Sequence, residues 1–455
     1  MLDDVSRGLT RRRAHFRLDL AATLTGTGLG LTLSLLASTL TREDLSGTFA
    51  VITTLSRVAA LAGTYLALLG LLLVARITWI ERAVGHDRLI LWHRKSAPFA
   101  LFLILAHVLL VALGYAANDR VRVGIELWNL VTTYPWMLPA FAGFLAFMAA
   151  GISSYKRVRA KMKYETWWTI HLYTYIAVAL SFMHQVLTGT MFIGHPLNRA
   201  YWTGLYIFVA ATILIWRVFI PMYKSLRYRL QVSHIVIEAP GIISIYIQGR
   251  HLNKLKAEGG QFFNWRFLDR ERWYQSHPFS LSAAPSHDQM RITVKDLGDH
   301  SRELVSLRPG TRVMIEGPYG TFTKHQAHQR RPMVLIGGGV GITPIRALLE
   351  ELPQDRQIAL IYRSSDEASQ IFIEEINDLA KVKSAKVHLL PGSRKLHPLD
   401  APHLLSLVPN IREAEIYICG PTSLVDAIRQ SAAELGIPQS RVHSEIFEYH
   451  SVIKE

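Results

Sequence analysis

The sequence predicts a membrane-embedded helical half followed by a soluble half, which consists of an antiparallel β-barrel and an α/β nucleotide-binding domain. Three observations support this fold class. Long apolar stretches broken by short polar loops extend from Leu18 to Tyr223. Alternating apolar and polar residues, typical of strands, follow to about residue 328, and strands then alternate with helices. We therefore expect three domains, at residues 1–223, 224–328 and 329–455.

The composition excludes several classes of protein. The chain has 455 residues and a formal net charge of +15, and its basic residues lie mainly between the apolar stretches. Membrane orientation accounts for basic residues in such places, so we expect no nucleic-acid binding. Cys419 is the only cysteine. This excludes an intramolecular disulfide, a CxxC redox pair and an iron–sulfur cluster held by cysteines.

Six apolar stretches are long enough to cross a hydrocarbon core about 30 Å thick as helices. We expect these spans at residues 18–40, 49–75, 91–116, 136–154, 167–187 and 201–223. The N-terminus is polar and arginine-rich and lacks a small-residue cleavage site. We therefore expect the first span to be retained in the protein.

Positive charges predict the orientation of the spans. Clusters of lysine and arginine precede the first span and follow the second, fourth and sixth spans, which places all four clusters on one side. That side is expected to be cytoplasmic. We therefore expect a multi-pass protein of the cell (inner) membrane, surrounded by lipid, with both termini and the soluble half in the cytoplasm.

Four histidines lie within these apolar spans. His93 and His107 belong to the third span, and His171 and His184 belong to the fifth. Ionisable residues are costly in lipid and usually functional there. Two imidazoles from facing helices can hold a haem, so the sequence predicts two b-type haems, one between His93 and His171 and one between His107 and His184. The alternatives are hydrogen bonds to other polar groups of the bundle and a proton path.

The spacing of the second histidine pair departs from ideal helical geometry. A step of 14 residues, as from His93 to His107, returns to within about 40° of the same helix face, but the 13-residue step from His171 to His184 ends roughly 140° away. The fifth span is therefore expected to contain a π-bulge or local distortion, or the haems are held obliquely.

Arg57 is a second ionisable residue within a span, in the outer half of the second one. Two interpretations are open. Its side chain extends to the membrane interface, or it faces the outer haem, where it pairs with a propionate or steadies an anionic product.

The soluble half begins with strand-like segments. Residues 232–239 and 242–249, separated by a Pro–Gly turn, and residues 291–298 and 311–320 alternate with period two and predict a small antiparallel barrel. An apolar strand then ends in Gly337, Gly338, Gly339 and Gly341, which open a helix with Pro344 near its start. Such a loop lets backbone N–H groups approach a pyrophosphate, and the alternative is a simple tight turn.

Two arginines follow later strands of the nucleotide-binding half. Arg363 ends the second strand, and Arg394 lies in a GSRK segment. An arginine in such a place can hold a 2′-phosphate through two hydrogen bonds, which favours NADPH over NADH. Solvated surface charge is the alternative.

Five motifs occur in the order found in a known family. HPFSLSAAP at residues 277–285 is followed by VKDLGDHSREL, EGPYGTF, GGGVGITPI and YICGP. The sequence resembles the NADPH oxidase and ferric reductase superfamily in these motifs. It also resembles that family in its six spans and in its histidine spacings of 14 and 13, so that the resemblance covers nearly the whole chain. It implies a ferredoxin-reductase-like soluble half that binds FAD and NADPH (or NADH).

The resemblance implies specific roles for residues of the soluble half. His277, Pro278, Phe279, Ser280 and Ser282 belong to the flavin-binding motif, and Phe279 and Ser280 line the flavin. Lys295 and Ser301 hold the FAD pyrophosphate, with Ser301 as the N-cap of a helix. The nicotinamide nucleotide is bound by Gly337 to Gly341, Thr343 and Pro344, and approaches the flavin at Cys419, Gly420 and Pro421. Phe447 is expected to stack on the flavin ring, and Tyr449 is a competing candidate for that role.

The resemblance also implies a function. Electrons from cytoplasmic NADPH pass through FAD and two haems to an acceptor on the outer face. Dioxygen, giving superoxide, is the first expectation, because Arg57 matches the family's arginine beside the outer haem. Ferric-chelate reduction and electron donation to a periplasmic partner protein are the alternatives.

Overall fold

A computed structural model of the chain describes residues 2–296, 299–328 and 330–447. The chain divides into two compact units, one ending at Arg217 and the other beginning at Val218. The division falls inside the last apolar helical segment, on the N-terminal side of the domain boundary that the sequence predicts at Tyr223.

The first unit is built from helices. They are α1 (Leu2–Ala37), α2 (Thr48–Leu73), α3 (Thr78–Val84), α4 (His86–Asp119), α5 (Val123–Thr133), α6 (Met137–Ser154), α7 (Lys156–Arg159), α8 (Tyr164–Thr188) and α9 (Pro196–Leu214). The helix α10 (Ile220–Tyr228) follows α9 after one π-helical turn and belongs to the second unit.

Six helical segments among the described residues are long and apolar enough to cross a membrane. They are Asp19–Ala37, Thr48–Leu73, Arg88–Asp119, Met137–Ser154, Thr166–Thr188 and Pro196–Tyr228. The six predicted spans are therefore confirmed, and the chain is a multi-pass membrane protein. Several of the helices extend a few residues beyond the predicted limits because polar ends continue the apolar helix.

The connection between the third and fourth spans is not an extended loop. It contains the helix α5, which buries Glu126, Leu130 and Val131 on one face. Positions 126 and 130 lie on the same helix face because they are four residues apart. A short amphipathic helix was not expected there, because its apolar residues are too few to be distinguished from a loop.

The expectation of a π-bulge in the fifth span was wrong. The helix α8 is α-helical throughout, whereas the π-helical turn lies at Ile215–Phe219 in the sixth span. The backbone of α8 therefore does not absorb the mismatch of the 13-residue step. Of the two interpretations of that step, the oblique one stays a prediction.

The helices of the membrane unit pack in two close pairs, α2 along α4 and α6 along α8. Small residues make this approach possible. A Cβ at Gly63 of α2 would lie 3.0 Å from Leu103 of α4, and one at Gly143 of α6 would lie 2.8 Å from the carbonyl oxygen of Ala177 of α8. The two helices that carry the histidines, α4 and α8, approach each other less closely than either pair does.

The second unit begins with six strands that form two three-stranded antiparallel sheets. The strands are β1 (Gln231–Ala239), β2 (Ile242–Gln248), β3 (Phe262–Phe267), β4 (His277–Ser280), β5 (Gln289–Lys295) and β6 (Val313–Tyr319). Their order is β1-β2-β5 in one sheet and β4-β3-β6 in the other. Isolated bridges between Gln231 and Arg312 and between Leu281 and Ile292 join the sheets. The inward residues, among them Trp265 and Phe263, are fully buried, and the predicted barrel is confirmed.

The remainder of the second unit is a five-stranded parallel sheet flanked by helices. Its strands are β7 (Met333–Gly338), β8 (Ile358–Ser364), β9 (Lys386–Pro391), β10 (Glu415–Gly420) and β11 (Val442–Ile446), in the order β11-β10-β7-β8-β9. The helices are α12 (Ile342–Glu351), α13 (Ile373–Lys383), α14 (Ala401–Leu407) and α15 (Thr422–Glu434), and the short helix α11 (Asp299–Glu303) precedes β6. The strand order reverses between β7 and β10, which is where open α/β sheets bind ligands.

Candidate functional site

Two histidines of the membrane unit, one on α4 and one on α8, face each other. The ring centroids of His93 on α4 and His171 on α8 lie 6.1 Å apart, and the ring planes are inclined by 81°. The Nδ1 atom of His93 lies 3.1 Å from the carbonyl oxygen of Gly70 on α2. A carbonyl only accepts hydrogen bonds, so Nδ1 carries the proton and Nε2 keeps its lone pair.

The second histidine of α4, His107, is also hydrogen-bonded to α2. Nδ1 of His107 lies 2.8 Å from the Ser56 hydroxyl and 3.2 Å from the Ser56 carbonyl oxygen, and that hydroxyl donates to the His107 carbonyl at 3.0 Å. With the hydroxyl proton directed to a carbonyl, His107 Nδ1 must donate, and its Nε2 is free as a ligand.

The two histidines of α8 are held differently. Nδ1 of His171 lies 3.3 Å from the Ser154 hydroxyl, which also accepts from the Trp167 indole at 3.1 Å. The Trp167 ring stacks on His171 with centroids 5.1 Å apart. Nδ1 of His184, by contrast, is buried with no hydrogen-bond partner among the described residues.

These contacts test whether the four histidines fit a haem. A haem needs one imidazole on each face, each with Nε2 unprotonated and its ring held by a hydrogen bond from Nδ1. His93 and His107 meet this requirement, and His171 does so through a hydroxyl. Within the described residues no three His, Cys, Asp or Glu side chains cluster as a metal site. This does not conflict with a haem, because haem iron needs only two ligands from the protein. Three of the four histidines therefore fit the group, whereas His184 has no hydrogen bond at Nδ1 among the described residues.

Arg57 forms an ion pair that neither interpretation from the sequence included. Its guanidinium lies 2.7 Å from a carboxylate oxygen of Asp44, in the turn before α2. The other carboxylate oxygen of Asp44 accepts from the backbone N–H and hydroxyl of Thr41 at 2.9 and 2.8 Å. Together the Thr41 N–H and Arg57 lower the pKa of Asp44 to about 2. The Arg57 side chain is therefore fixed by an ion pair within the protein.

The flavin-motif residues lie on and just after the strand β4. Its backbone is fixed by the Trp265 indole, which donates to the Phe279 carbonyl at 2.9 Å, and the rings of His277 and Phe279 stack with centroids 6.0 Å apart. Ser280 is buried and Pro278 is exposed. Ser282 is fully buried, and its hydroxyl accepts from Thr293 and Arg291 at 2.8 and 3.2 Å. Ser282 therefore has a structural role inside the protein, and its part in flavin binding stays a prediction.

The two residues expected at the FAD pyrophosphate lie beyond this strand. Lys295 is the exposed last residue of β5. Ser301 was expected to cap a helix, but the helix α11 begins at Asp299, so Ser301 lies inside it. The capping role was wrong because the helix starts two residues earlier than the apolar pattern indicates.

The glycine loop touches the end of β10. A Cβ at Gly341 would lie 2.2 Å from the carbonyl oxygen of Cys419, and one at Gly338 would lie 2.5 Å from Leu424 of α15. Gly339 has φ +55° and open space around it. The loop is therefore pressed against β10 at its base and open at its crest, which suits close approach of a pyrophosphate. Thr343 and Pro344 are buried in the first turns of α12.

The two arginines expected near a 2′-phosphate come together at this end of the sheet. The Arg363 guanidinium donates to the carbonyl of Gly392 at 2.6 Å, and Arg394 donates to the Ser423 hydroxyl at the start of α15. Desolvation and the neighbouring Arg394 charge lower the pKa of Arg363. Arg363 is half-buried and hydrogen-bonded, so it is not simply a solvated surface charge.

Cys419 and Phe447 both lie at the end of β10. Cys419 and Gly420 end β10 and are buried, and Pro421 precedes α15. Burial, followed by the charge of Glu445, raises the pKa of the Cys419 thiol. The Phe447 N–H donates to the Gly420 carbonyl at 3.0 Å, which puts this aromatic residue beside the CGP motif. Tyr449 lies outside the described residues.

Several residues that support the candidate sites were missed. Ser56, Gly70 and Ser154 orient histidines, and Asp44 holds Arg57. Each partner lies on another helix or turn, where no local pattern identifies it. At Ser56 one signal was available, a polar residue beside Arg57 in an apolar span.

Three family models match successive parts of the chain. They are described as "Ferric reductase like transmembrane component" over residues 59–182, "FAD-binding domain" over residues 230–323 and "Oxidoreductase NAD-binding domain" over residues 335–430. These matches follow the order of the three predicted domains. The chain is therefore an oxidoreductase with a transmembrane domain and with domains for FAD and for a nicotinamide nucleotide.

Curated relatives and solved structures match part of the chain. A flavohemoprotein of Oceanobacillus iheyensis is 29% identical over 45% of this chain and 52% of its own length. The ferredoxin reductase component of the 3-ketosteroid-9-alpha-monooxygenase of Rhodococcus rhodochrous is 30% identical over 43% and 57%. The chain thus spans about half the length of the curated relatives it matches. The flavohem-like FAD/NAD binding domain of a Vibrio cholerae nitric oxide dioxygenase is 22% identical, covers 48% of this chain and 98% of its own, and has a TM-score of 0.42.

Proposed function

Because the chain belongs to the NADPH oxidase and ferric reductase superfamily, we propose that it carries electrons from cytoplasmic NADPH (or NADH) across the cell (inner) membrane to an acceptor on the outer face. The cofactors in this proposal are FAD and two b-type haems. The proposed domains are 1–223 for the haems, 224–328 for FAD and 329–455 for the nucleotide. The lysine and arginine clusters support cytoplasmic termini.

The chemistry of the reaction belongs to the cofactors. When bound, the flavin takes up the two electrons of a hydride and gives them up singly, and each haem iron carries one electron. The protein's tasks are to bind these groups, to orient them and to keep them in a fixed order. No general base or nucleophile among the side chains is required.

The nucleotide-binding task falls to the loop between β7 and α12 and to the ends of β8 and β10. In the proposal the open crest at Gly339 receives the pyrophosphate, and Arg363 and Arg394 lie nearest a 2′-phosphate, which favours NADPH. Cys419, Gly420 and Pro421 place the nicotinamide. Gly341 packs directly on the Cys419 carbonyl. This packing fixes the distance between the nucleotide loop and the CGP motif.

The flavin-binding task falls to β4 and its neighbours. Phe279 and Ser280 line the flavin, Lys295 and Ser301 approach its pyrophosphate, and Phe447 stacks on its ring. The Trp265 hydrogen bond to the Phe279 carbonyl supports this assignment because it keeps the strand rigid. His277, Pro278 and Ser282 complete the motif, and Ser282 acts through the backbone that it stabilises.

The haem-binding task falls to the histidines of α4 and α8. His93 and His171 hold the cytoplasmic-side haem, and His107 and His184 hold the outer one. The observation that carries the proposal is the approach of the His93 and His171 rings to 6.1 Å with Nδ1 of His93 bonded to a backbone carbonyl. That bond sets the tautomer that a metal ligand needs.

The proposed acceptor is dioxygen, reduced by one electron to superoxide, with Arg57 at the outer site. The Arg57–Asp44 pair is partly exposed and leaves little net charge for an anionic chelate, which favours a small neutral acceptor. Ferric-chelate reduction is the second candidate, and donation to a periplasmic partner protein is the third.

An optical spectrum of the purified protein tests the architecture. Two b-type haems and one flavin per chain are expected, and a chain with flavin alone would overturn the proposal. With NADPH, cytochrome c reduction that superoxide dismutase abolishes supports dioxygen as the acceptor. Dismutase-insensitive reduction of a ferric chelate supports the second candidate. Normal haem reduction by NADPH without either product supports a partner protein.

A further inference from the structure

Four charged side chains connect the barrel to the parallel sheet within the second unit. Arg291 of β5 donates to both carboxylate oxygens of Glu375 on α13, at 2.8 and 2.9 Å. One of these oxygens also lies 2.8 Å from Nε of Arg346 on α12. Arg346 in turn pairs with Glu350 one turn further along α12. We refer to Arg291, Glu375, Arg346 and Glu350 as the domain clamp.

The arginines of the domain clamp are the buried members. The side chains of Arg291 and Arg346 are 5% and 9% exposed, compared with 37% for Glu375 and 33% for Glu350. The Arg291 guanidinium also lies 4.4 Å from the centre of the Phe372 ring, next to α13. A buried arginine is stable only when it is paired and hydrogen-bonded. Each arginine therefore depends on carboxylates supplied by the helices of the parallel sheet.

The domain clamp also holds the segment that follows the flavin motif. Arg291 donates to the carbonyl and hydroxyl oxygens of Ser282 at 2.9 and 3.2 Å. The carboxylate of Glu350 accepts from the backbone N–H of Ala284 at 2.7 Å. These two residues come directly after β4, the strand of the flavin motif. The end of that strand is thereby tied to α12, the helix that the glycine loop opens.

From these contacts we propose that the domain clamp sets the position of the flavin-binding strand relative to the nucleotide-binding helix, and that Glu375 is a positioning residue for hydride transfer. The reaction it serves rests on the proposed function. In that reaction the dihydronicotinamide is oxidised as its hydride, two electrons and a proton, passes to the flavin, which is reduced. Glu375 acts through Arg291 and Arg346 and touches neither reactant.

The physical reason is that hydride transfer depends steeply on the geometry of the two reactants. A misplacement of about 1 Å, caused far from the chemistry, can slow such a step about 100-fold. Glu375 is the centre of the domain clamp because it is the one member that contacts both arginines. Removing its charge breaks the ion pairs that Arg291 and Arg346 make with α13, while the groups that touch the cofactors are unchanged.

The test uses the full-length protein loaded with FAD. Glu375→Gln keeps the size of the side chain and removes its charge, and Glu350→Gln opens the domain clamp at its other end. Glu374→Gln, on the exposed face of the same helix, is the matched control. Anaerobic stopped-flow measurement gives the limiting rate constant of flavin reduction and the NADPH concentration for half-maximal rate. Hydrogen exchange of the Ala284 amide reports the clamp directly.

For both clamp variants we expect the limiting rate constant to fall about tenfold, while the half-saturating NADPH concentration stays within about twofold. Exchange at Ala284 should become faster, and the control should match the native protein. Unchanged rate and exchange in both variants would overturn the proposal, as would a loss confined to NADPH affinity or FAD content. If the native protein shows no flavin reduction by NADPH or NADH, the proposed function fails, and the exchange measurement still decides whether the clamp exists.

Discussion

The Ser56 hydroxyl lies 2.8 Å from Nδ1 of His107 and donates to the carbonyl of the same histidine. One serine on α2 thereby sets both the tautomer and the ring orientation of a histidine on α4. It also orients His107 better than His184, since Nδ1 of His184 has no such partner among the described residues.

His107 and His184 should be required for one haem and not for flavin reduction. We expect His107→Leu or His184→Leu to lose about one haem per chain, since an axial ligand is removed. Flavin reduction by NADPH should persist because it takes place in the other unit. Haem content by the pyridine haemochrome method and anaerobic flavin bleaching are the measurements.

The exposed His195 provides the control for these variants. His195→Leu should retain two haems, because this residue precedes α9 and is not in a span. Two haems in both His107→Leu and His184→Leu would show that the ligand assignment is wrong.

The Asp44–Arg57 pair should stabilise the N-terminal end of α2 over the whole physiological pH range. The pKa of Asp44 is depressed to about 2, below its unfolded value, so its contribution is complete above pH of about 4 and declines as the pH falls towards 2. We expect Asp44→Asn to cost roughly 0.2–1 kcal/mol, as for partly exposed pairs. The melting temperature should fall equally at pH 6 and pH 8.

Glu43→Gln is the control for this pair, because Glu43 is exposed and adjacent to Asp44. Equal losses in the two variants would mean that removal of any negative charge from this turn has the same effect. A loss that grows between pH 6 and pH 8 would assign the effect to another titrating group.

The glycine loop should not tolerate a side chain at its base. In Gly341→Ala the new methyl would collide with the Cys419 carbonyl, 2.2 Å away, so the loop or β10 must move. We expect loss of NADPH-dependent flavin reduction by more than about tenfold, measured by stopped flow, with FAD still bound.

Gly339→Ala separates this collision from backbone strain. It meets open space but has φ +55°, so its cost should be only about 1–2 kcal/mol of unfolding free energy, measured by denaturant titration. A larger destabilisation in Gly339→Ala than in Gly341→Ala would contradict the close packing described at the base of the loop.

Cys419 should resist alkylation in the folded protein. Burial raises the pKa of its thiol, so the reactive thiolate is scarce at pH 8, where a free cysteine near pKa of about 8.5 is partly ionised. We expect iodoacetamide to label less than about a tenth of the native chains in the time that labels the unfolded protein fully. Mass spectrometry gives a direct count because the chain has one cysteine.

Rapid native labelling of Cys419 would mean that the end of β10 opens to solvent. Addition of NADPH should leave the native rate low. An acceleration by the nucleotide would assign movement of β10 to nucleotide binding.

Sequence patterns that extend over many residues predicted the fold well. The spans follow from apolar length, and the barrel and parallel sheet follow from alternation and from the glycines that end β7. Short elements were harder to predict. Only a few residues determine whether the helix α5 forms and whether α11 starts at Asp299. Over so few residues the preferences for helix and for loop are nearly equal.

The supporting contacts of the sites were not predictable for a different reason. Ser56 and His107 are 51 positions apart, and Arg291 and Glu375 are 84 apart. Such pairs arise from tertiary packing, which a pattern within one segment does not contain. The histidines themselves were identifiable only because lipid makes ionisable residues conspicuous.

The helix α2 contacts both histidines of α4, and its two contact residues are as far apart in sequence as the two histidines are. Ser56 and Gly70 are 14 residues apart, as are His93 and His107. One inserted or deleted residue between Ser56 and Gly70 would rotate one contact by about 100° relative to the other. This stretch of α2 can therefore accept no change of length during evolution, and homologues with both contacts should carry no gap there.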